Sequence, residues 1–254
     1  MIGWPLNSLV ALIPARAGSK RIPGKNLKLL AGLPLFAYSV LWAKLAGIFT
    51  DIIVCSDSVA ITNLAITDYG VSGRVAGPPC HVDTCCDITW VRDIMRICPL
   101  DAFAILRPTS PFRNAESIKS AWASLQHSYD PNGGKPYFDS VRAVAKYEGP
   151  HPAKCWRSTG KRITMIKPWV EETHPDGTPF HSSPTQSLKT VWRQTGGLEM
   201  AWTRVLTETG TISGTKVHPL ILSGPEALDI NTPEDWAEAE RLVASVEGIL
   251  PEVE

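Results

Sequence analysis

The chain has 254 residues, with 25 Lys and Arg against 25 Asp and Glu, and 44% of its residues are hydrophobic. That length suits one large domain, or a domain with an arm, and can bury a sizeable core. The balanced charge argues against a surface made for nucleic acid or an anionic membrane, and no apolar run nears the ~20 residues of a membrane span.

The first stretch, MIGWPLNSLVALIPA, has neither a basic n-region nor an Ala-x-Ala cleavage pattern, so a soluble, cytoplasmic protein is expected. Next, LVALIP (9–14) reads as a strand buried on both faces, and PLFAYSVLWAKLAG (34–47) as a helix that opens on Pro and closes on Gly. DIIVCSD (51–57) is again strand, SVAITNLAITDYG (58–70) helix, and DITWVRDIMRIC (87–98) an amphipathic helix with Ile88, Val91, Ile94, Met95 and Cys98 on one face. AFAILRP (102–108) is a strand stopped by Pro108, and Asn114 is placed to cap a helix over 114–126.

After about Asp130 the texture changes. Residues 130–195 are polar, Pro-rich and poorly periodic, and read as an extension that forms an arm or a lid. Regular pattern returns in GLEMAWTRVLTE and in KVHPLILS (216–223). The chain closes on NTPEDWAEAERLVASVEG (231–248), where Thr232, Pro233 and Asp235 have the spacing of N-cap, N1 and the far member of a capping box. Strand–helix alternation predicts a parallel sheet covered by helices, with the loops after its strands gathered on one edge, where such sheets bind ligands. The loop after residue 14, SDS (56–58) and RPTSPFR (107–113) should therefore converge.

Six cysteines stand at 55, 80, 85, 86, 98 and 155. CHVDTCC (80–86) brings Cys80, His81, Cys85 and Cys86 together in sequence but lacks the paired spacing of zinc sites, so free thiols are expected. The nine tryptophans are expected as core or interface anchors.

The chemistry concentrates in IPARAGSKRIPGKN (13–26), which sets Arg16, Lys20, Arg21 and Lys25 among Gly18, Gly24, Pro14 and Pro23. Backbone N–H groups of a Gly-rich loop, the positive end of the following helix and these cations together suit a polyphosphate. It is not a Walker A loop: five residues separate Gly18 from Gly24, and Asn26 stands where Ser or Thr would hold magnesium. No G-x-G-x-x-G fingerprint is present either.

The same stretch closely resembles the signature I-P-A-R-x-G-S-K-x-I-P-x-K-N of the acylneuraminate cytidylyltransferases, the CMP-sialic acid synthetase family. LRPTSPFR (106–113) is similar to that family's L-Q-P-T-S-P-L-R, DINTPEDW (229–236) to its D-I-D-T-x-x-D-W, and HPAKCW (151–156) to its P-x-K-M stretch. The resemblance implies a single three-layer α/β/α domain over 1–254, mainly parallel and nucleotidyltransferase-like, in which 130–195 serves dimerisation or covers the site. It implies a homodimer that activates an acidic 2-keto sugar as its CMP ester, with CTP as donor, Mg²⁺ as cofactor and pyrophosphate as leaving group. An enzyme for the eight-carbon sugar acid of lipopolysaccharide, another sugar nucleotidyltransferase, or a nucleotide-binding homologue without activity are the alternatives.

Carried over residue by residue, Arg16, Lys20 and Lys25 would hold the triphosphate, Lys25 acting on the transition state. Ala15, Ser19 and Asn26 would join them in nucleotide binding. Asp229 and Asn231 would hold the metal, and Arg107, Ser110, Arg113, Lys154 and Gln186 would face the acceptor. The departures are local. Arg107 replaces the family's Gln, Asn231 its second Asp, Thr195 an Asn and Glu199 a Tyr, while Gly77 stands in place of an Arg that nearby Arg74 is positioned to replace. An Arg at 107 suits a carboxylate or a differently decorated sugar.

Overall fold

The computed structural model describes residues 8–75, 86–128, 136–158 and 166–251. Gly77, Cys80, His81 and Cys85 lie outside them. The order is β1 (Leu9–Pro14), β2 (Leu29–Leu30), β3 (Leu33–Pro34), α1 (Leu35–Ala46), β4 (Asp51–Ser56), α2 (Val59–Thr67), β5 (Ser72–Val75), α3 (Asp87–Ile97), β6 (Ala102–Ile105) and α4 (Ala115–His127). It continues through β7 (Ser140–Lys146), β8 (Trp156–Ser158), β9 (Ile166–Pro168), β10 (Trp192–Trp202), α5 (Val205–Glu208), β11 (Val217–Ile221) and α6 (Pro233–Ser245).

Seven strands form one sheet in the order β11-β7-β10-β6-β1-β4-β5. β1 pairs parallel with β4 and β6, β4 with β5, and β11 with β7, whereas β10 runs antiparallel to β6. Leu9 through Ile13 are all fully buried, which requires cover on both faces of the sheet. On one face Val10, Leu12, Ile53, Phe103 and Ile105 pack against Val91, Ile94 and Met95 of α3 and Val205 and Leu206 of α5. In a second cluster Leu35 and Tyr38 of α1 meet Trp236 and Ala239 of α6 around Ile230 and Phe112. The result is the expected three-layer, mainly parallel architecture.

The local signals act as their chemistry requires. Asn114 Oδ1 accepts from Ser117 N, and Thr232 with Asp235 closes the capping box of α6. Gly47 takes a left-handed conformation (φ +64°) to end α1.

The chain divides into two units, one of Met1–Val144 with Gln194–Glu254, the other of Ala145–Arg193. The second unit lies inside the segment that composition marks off. It holds the β8–β9 hairpin and short 3₁₀ turns, and Tyr147 N donates to Val191 O at 2.9 Å. Cys55 is buried, Cys86 exposed, and Cys98 and Cys155 half-buried.

Candidate active site

The carboxyl ends of β1, β4 and β6 lie on one edge, and the loops that follow them meet there. Backbone bonds fix the first loop to β4: Ala15 N donates to Cys55 O at 2.8 Å, and Ala17 N to Asp57 Oδ1 at 2.7 Å. Ala15 is fully buried, so its contribution is through the main chain. Asn26 is 7% exposed and its Nδ2 donates to Arg16 O at 2.7 Å, which ties the loop's two ends together. Gly24 sits at φ +64°, where a side chain would be strained, and Lys28 N returns to its carbonyl at 3.0 Å. Arg16, Gly18, Ser19, Lys20, Arg21 and Lys25 then line a cleft of about 670 Å³.

The structure departs from the sequence expectation at the helix that follows this loop. The helix after this loop does not point its positive end at the cleft. The β2–β3 hairpin intervenes, and the first N–H groups of α1, on Leu35 and Phe36, donate to the loop's own carbonyls, Lys28 O at 3.1 Å and Asn26 O at 3.1 Å. Those orphan donors are already satisfied, so positive charge in the cleft comes from side chains.

Lys25 is the buried member of the set, 9% exposed, and its Nζ donates to Ile230 O at 2.6 Å. Burial pulls its pKa below the ordinary 10.5; Asp229 opposes this, while Arg21 and Arg16 add to it. Its hydrogen-bond partner is a neutral carbonyl, so the ammonium keeps its charge for an anion.

The 107–113 loop is braced from within. Arg113, 2% exposed, donates from Nε to Gly197 O at 2.7 Å, from Nη1 to Ser39 Oγ at 2.8 Å and from Nη2 to Arg107 O at 2.6 Å. Burial lowers its pKa, with Asp229 and Glu226 working against the shift. Ile230 N donates to Thr109 O at 2.7 Å, joining this loop to the 229–231 segment. Gly196 of β10 lies against both: a Cβ there would stand 2.8 Å from Thr109 Oγ1, 2.9 Å from Asp229 Oδ1 and 3.2 Å from Ser110 Oγ. Ser110 is fully buried, and among the described residues its hydroxyl has no hydrogen-bond partner.

Arg107 lines the cleft and is held by acids. Its Nε and Nη2 donate to Glu199 Oε1 at 3.0 and 2.7 Å, and Nη2 also donates to Asp87 Oδ2 at 2.5 Å. Glu199 is 2% exposed; its Oε2 lies 2.9 Å from Arg142 Nη2, a charge contact without hydrogen-bond alignment. Burial alone would lower the Arg107 pKa, but Glu199 and Asp87 outweigh it and raise the value. Two of the sequence departures, Arg107 and Glu199, are thus partners.

Asp229 Oδ2 accepts from Asn231 Nδ2 at 2.7 Å, and Arg21 Nη2 donates to Asn231 Oδ1 at 3.3 Å. The other carboxylate oxygen, Asp229 Oδ1, is buried without a hydrogen-bond partner among the described residues. Asp235 accepts from Asn231 N and Thr232 N at 2.8 Å and acts as a cap. Among the described residues no three His, Cys, Asp or Glu gather into a metal-holding group. A hard cation here would rest on Asp229 and on oxygens its ligand brings, which is the habit of magnesium.

Lys154 and Gln186 lie in the second unit, where Lys154 Nζ donates to the carbonyls of His181 and Ser183, and Gln186 is exposed in a 3₁₀ turn. Asp57, Asp87, Trp90 and Asp93 also line the cleft, although no role was assigned to them from sequence. The last three sit on α3, whose apolar face was legible while its polar face gave no motif. Arg74 of β5 lines the cleft as well.

This fold and cleft place the chain in the nucleotidyltransferase class. CMP:2-keto-3-deoxy-manno-octonic acid synthetase, solved in complex with CTP, superposes with a TM-score of 0.65 at 14% identity over 93% of this chain and 98% of that one, a likeness of fold. The chain belongs to the cytidylyltransferase family, whose model matches residues 10–163. The CMP-N,N'-diacetyllegionaminic acid synthase of Legionella pneumophila is 28% identical over 254 residues, 92% of this chain and 96% of that protein. The pseudaminic acid cytidylyltransferase of Campylobacter jejuni is 26% identical over 237 residues, 89% of this chain and 92% of that protein.

Proposed function

We propose that the cleft transfers the cytidylyl group of CTP to the anomeric hydroxyl of an acidic 2-keto sugar and releases pyrophosphate. The observation that carries this reading is the meeting of the 13–26, 107–113 and 229–231 segments in one cleft, with Lys25 buried in it and bonded to Ile230 O. The names of the relatives, which make CMP esters of legionaminic and pseudaminic acids, support the acceptor class.

In the reaction the acceptor oxygen forms a bond to the α-phosphorus while the bond to the pyrophosphate oxygen breaks and the hydroxyl proton leaves. Placement in line and neutralisation of charge do most of the catalysis. Arg16 and Lys20 hold the triphosphate from the loop, and Lys25 stabilises the charge that grows on the transferring group. Ala15, Ser19 and Asn26 shape the loop around the nucleotide. Arg113 and Ser110 keep the acceptor loop in place. Asp229, through its unpartnered Oδ1, and Asn231 would hold Mg²⁺, which supplies charge neutralisation at the phosphates. The second unit presents Trp156, Trp169 and Trp192, each 45–60% exposed, side chains of the kind that anchor a pairing of two copies of the chain. Sedimentation of the intact chain should give a dimer, and a monomer at all concentrations would remove that role.

The central test is a pyrophosphate-release assay with Mg²⁺, crossing CTP, UTP and ATP with N-acetylneuraminate, N,N'-diacetyllegionaminate, pseudaminate and the eight-carbon 2-keto-3-deoxy acid. Release is expected with CTP and one of the first three acids. Preference for UTP or ATP overturns the base assignment, and CTP binding without release from any pair identifies a binding protein instead.

A further inference from the structure

The four charges around Arg107 have a polarity that the reaction alone does not explain. Glu199 is gripped between two arginines, Oε1 by Arg107 and Oε2 by Arg142. That Arg–Glu–Arg trio, a buried carboxylate between two half-buried guanidinium groups, carries one net positive charge. In the free protein Asp87 neutralises it from the cleft side, where the Asp87 side chain is 29% exposed against 3% for Glu199. Asp87 Oδ1 meanwhile accepts from Trp90 Nε1 at 3.0 Å, so it has another partner when it lets go of Arg107. Among the described residues Arg107 Nη1 makes no hydrogen bond, and Arg107 faces the cleft.

We infer that Glu199 is a positioning residue for substrate choice: it aims Arg107 at the carboxylate of the acidic sugar, and Asp87 occupies that carboxylate's place until the sugar arrives. This rests on the acceptor class proposed above. Glu199 sets the guanidinium's tilt through Nε and Nη2, so that the Nη1–Nη2 edge, whose Nη2 end Asp87 holds, is the one offered to the incoming acid, and Arg142 holds Glu199 in turn. The acid completes a neutral cluster of four as Asp87 swings toward Trp90 and solvent. A bidentate or end-on carboxylate contact of this kind is what a planar guanidinium fork recognises.

The two acids should therefore respond with opposite signs. Glu199→Gln leaves Arg107 bonded to Asp87, so the fold survives, but its aim is lost: acceptor KM should rise roughly 10- to 100-fold with CTP KM unchanged. Asp87→Asn removes the stand-in, and acceptor KM should fall by roughly 3- to 10-fold. Simple charge counting predicts tighter acid binding for both variants, so tighter binding in Glu199→Gln overturns the positioning role, and weaker binding in Asp87→Asn overturns the stand-in. The probe is the sugar acid with the lowest KM in the pyrophosphate screen, or N,N'-diacetyllegionaminate if none turns over, compared with its methyl ester. Affinities are measured by turnover and, separately, by calorimetric titration with CDP present. Wild-type protein should prefer acid to ester, and Glu199→Gln should lose that preference. Equal binding of acid and ester by the wild type sinks the inference, whereas acid-selective binding without turnover sinks only the proposed reaction.

Discussion

Two cations in one cleft are held in opposite ways. Lys25 is buried against a neutral carbonyl, Ile230 O, whereas Arg107 is clasped by the carboxylates of Glu199 and Asp87. A lysine bonded to a neutral oxygen is only partly offset, here by the Asp229 charge, and so is costly to bury and strongly attractive to a polyanion. An arginine whose charge is already matched attracts less from afar but has a fixed direction. The first arrangement suits a phosphate group on which charge grows during reaction; the second suits choosing among substrates that differ in shape and decoration.

The largest effect should come from breaking the first arrangement. Lys25→Ala is expected to cut kcat/KM by about 10³-fold while the circular dichroism spectrum is unchanged. Turnover within threefold of wild type would deny Lys25 its role. Arg113→Met tests a cation that serves the fold: three acceptors lose their donor inside the protein. Stability should fall by about 3 kcal/mol, read as a Tm lowered by roughly 6–12 °C. Arg107→Gln should raise the acceptor KM by roughly 10-fold with the CTP KM unchanged, and should lower Tm as well, because the buried Glu199 loses its hydrogen-bonded partner and keeps only the charge contact with Arg142.

Two finer tests follow from the charges themselves. Only the ammonium form of Lys25 attracts phosphate, and burial favours the neutral form, so its pKa lies below 10.5. The kcat/KM for CTP should therefore fall as pH rises through a value below 10.5, and Lys25→Arg should remove that basic limb. A limb unaltered in the arginine variant would assign it to another group. Asn231→Asp exchanges an amide that donates to Asp229 for a second carboxylate beside it. The Mg²⁺ needed for half-maximal activity should drop by roughly 3- to 10-fold, at a small cost in stability without the metal. A higher requirement would place the metal elsewhere.

What could be read from the chain depended on how far each interaction reaches. The Asn114 cap and the Thr232–Asp235 box are set by neighbours a few residues away, and β1, though paired with distant strands, shows itself as a continuous apolar run; all three were legible. The signature loop was legible too, because its residues are contiguous. β7 was hidden: SVRAVAK carries small alanines and two cations, and it becomes a sheet strand only through its neighbours β10 and β11. The β2–β3 hairpin was missed although its turn, Ala31 and Gly32 at φ +48° and +86°, left a Gly in the sequence. That omission produced the mistaken helix end at the cleft. Arg107 and Glu199 stood out singly, but they are 92 residues apart, and only the pairing of β10 with β6, Glu199 opposite Ile105, puts them in reach.

The second unit has a consequence for how such a chain diversifies. It leaves the sheet at β7 and re-enters at β10, two strands that lie side by side, and the peptide bonds of Tyr147 and Val191 are already joined across the base. Topologically it is a long loop spliced into one junction between adjacent strands. Residues 148–190 are thus exchangeable as a cassette: a short turn from 147 to 191 should leave a chain that still folds and takes up CTP. Evolution can rewrite that cassette, and whatever assembly it governs, without changing any residue of the 13–26 loop proposed to grip the nucleotide.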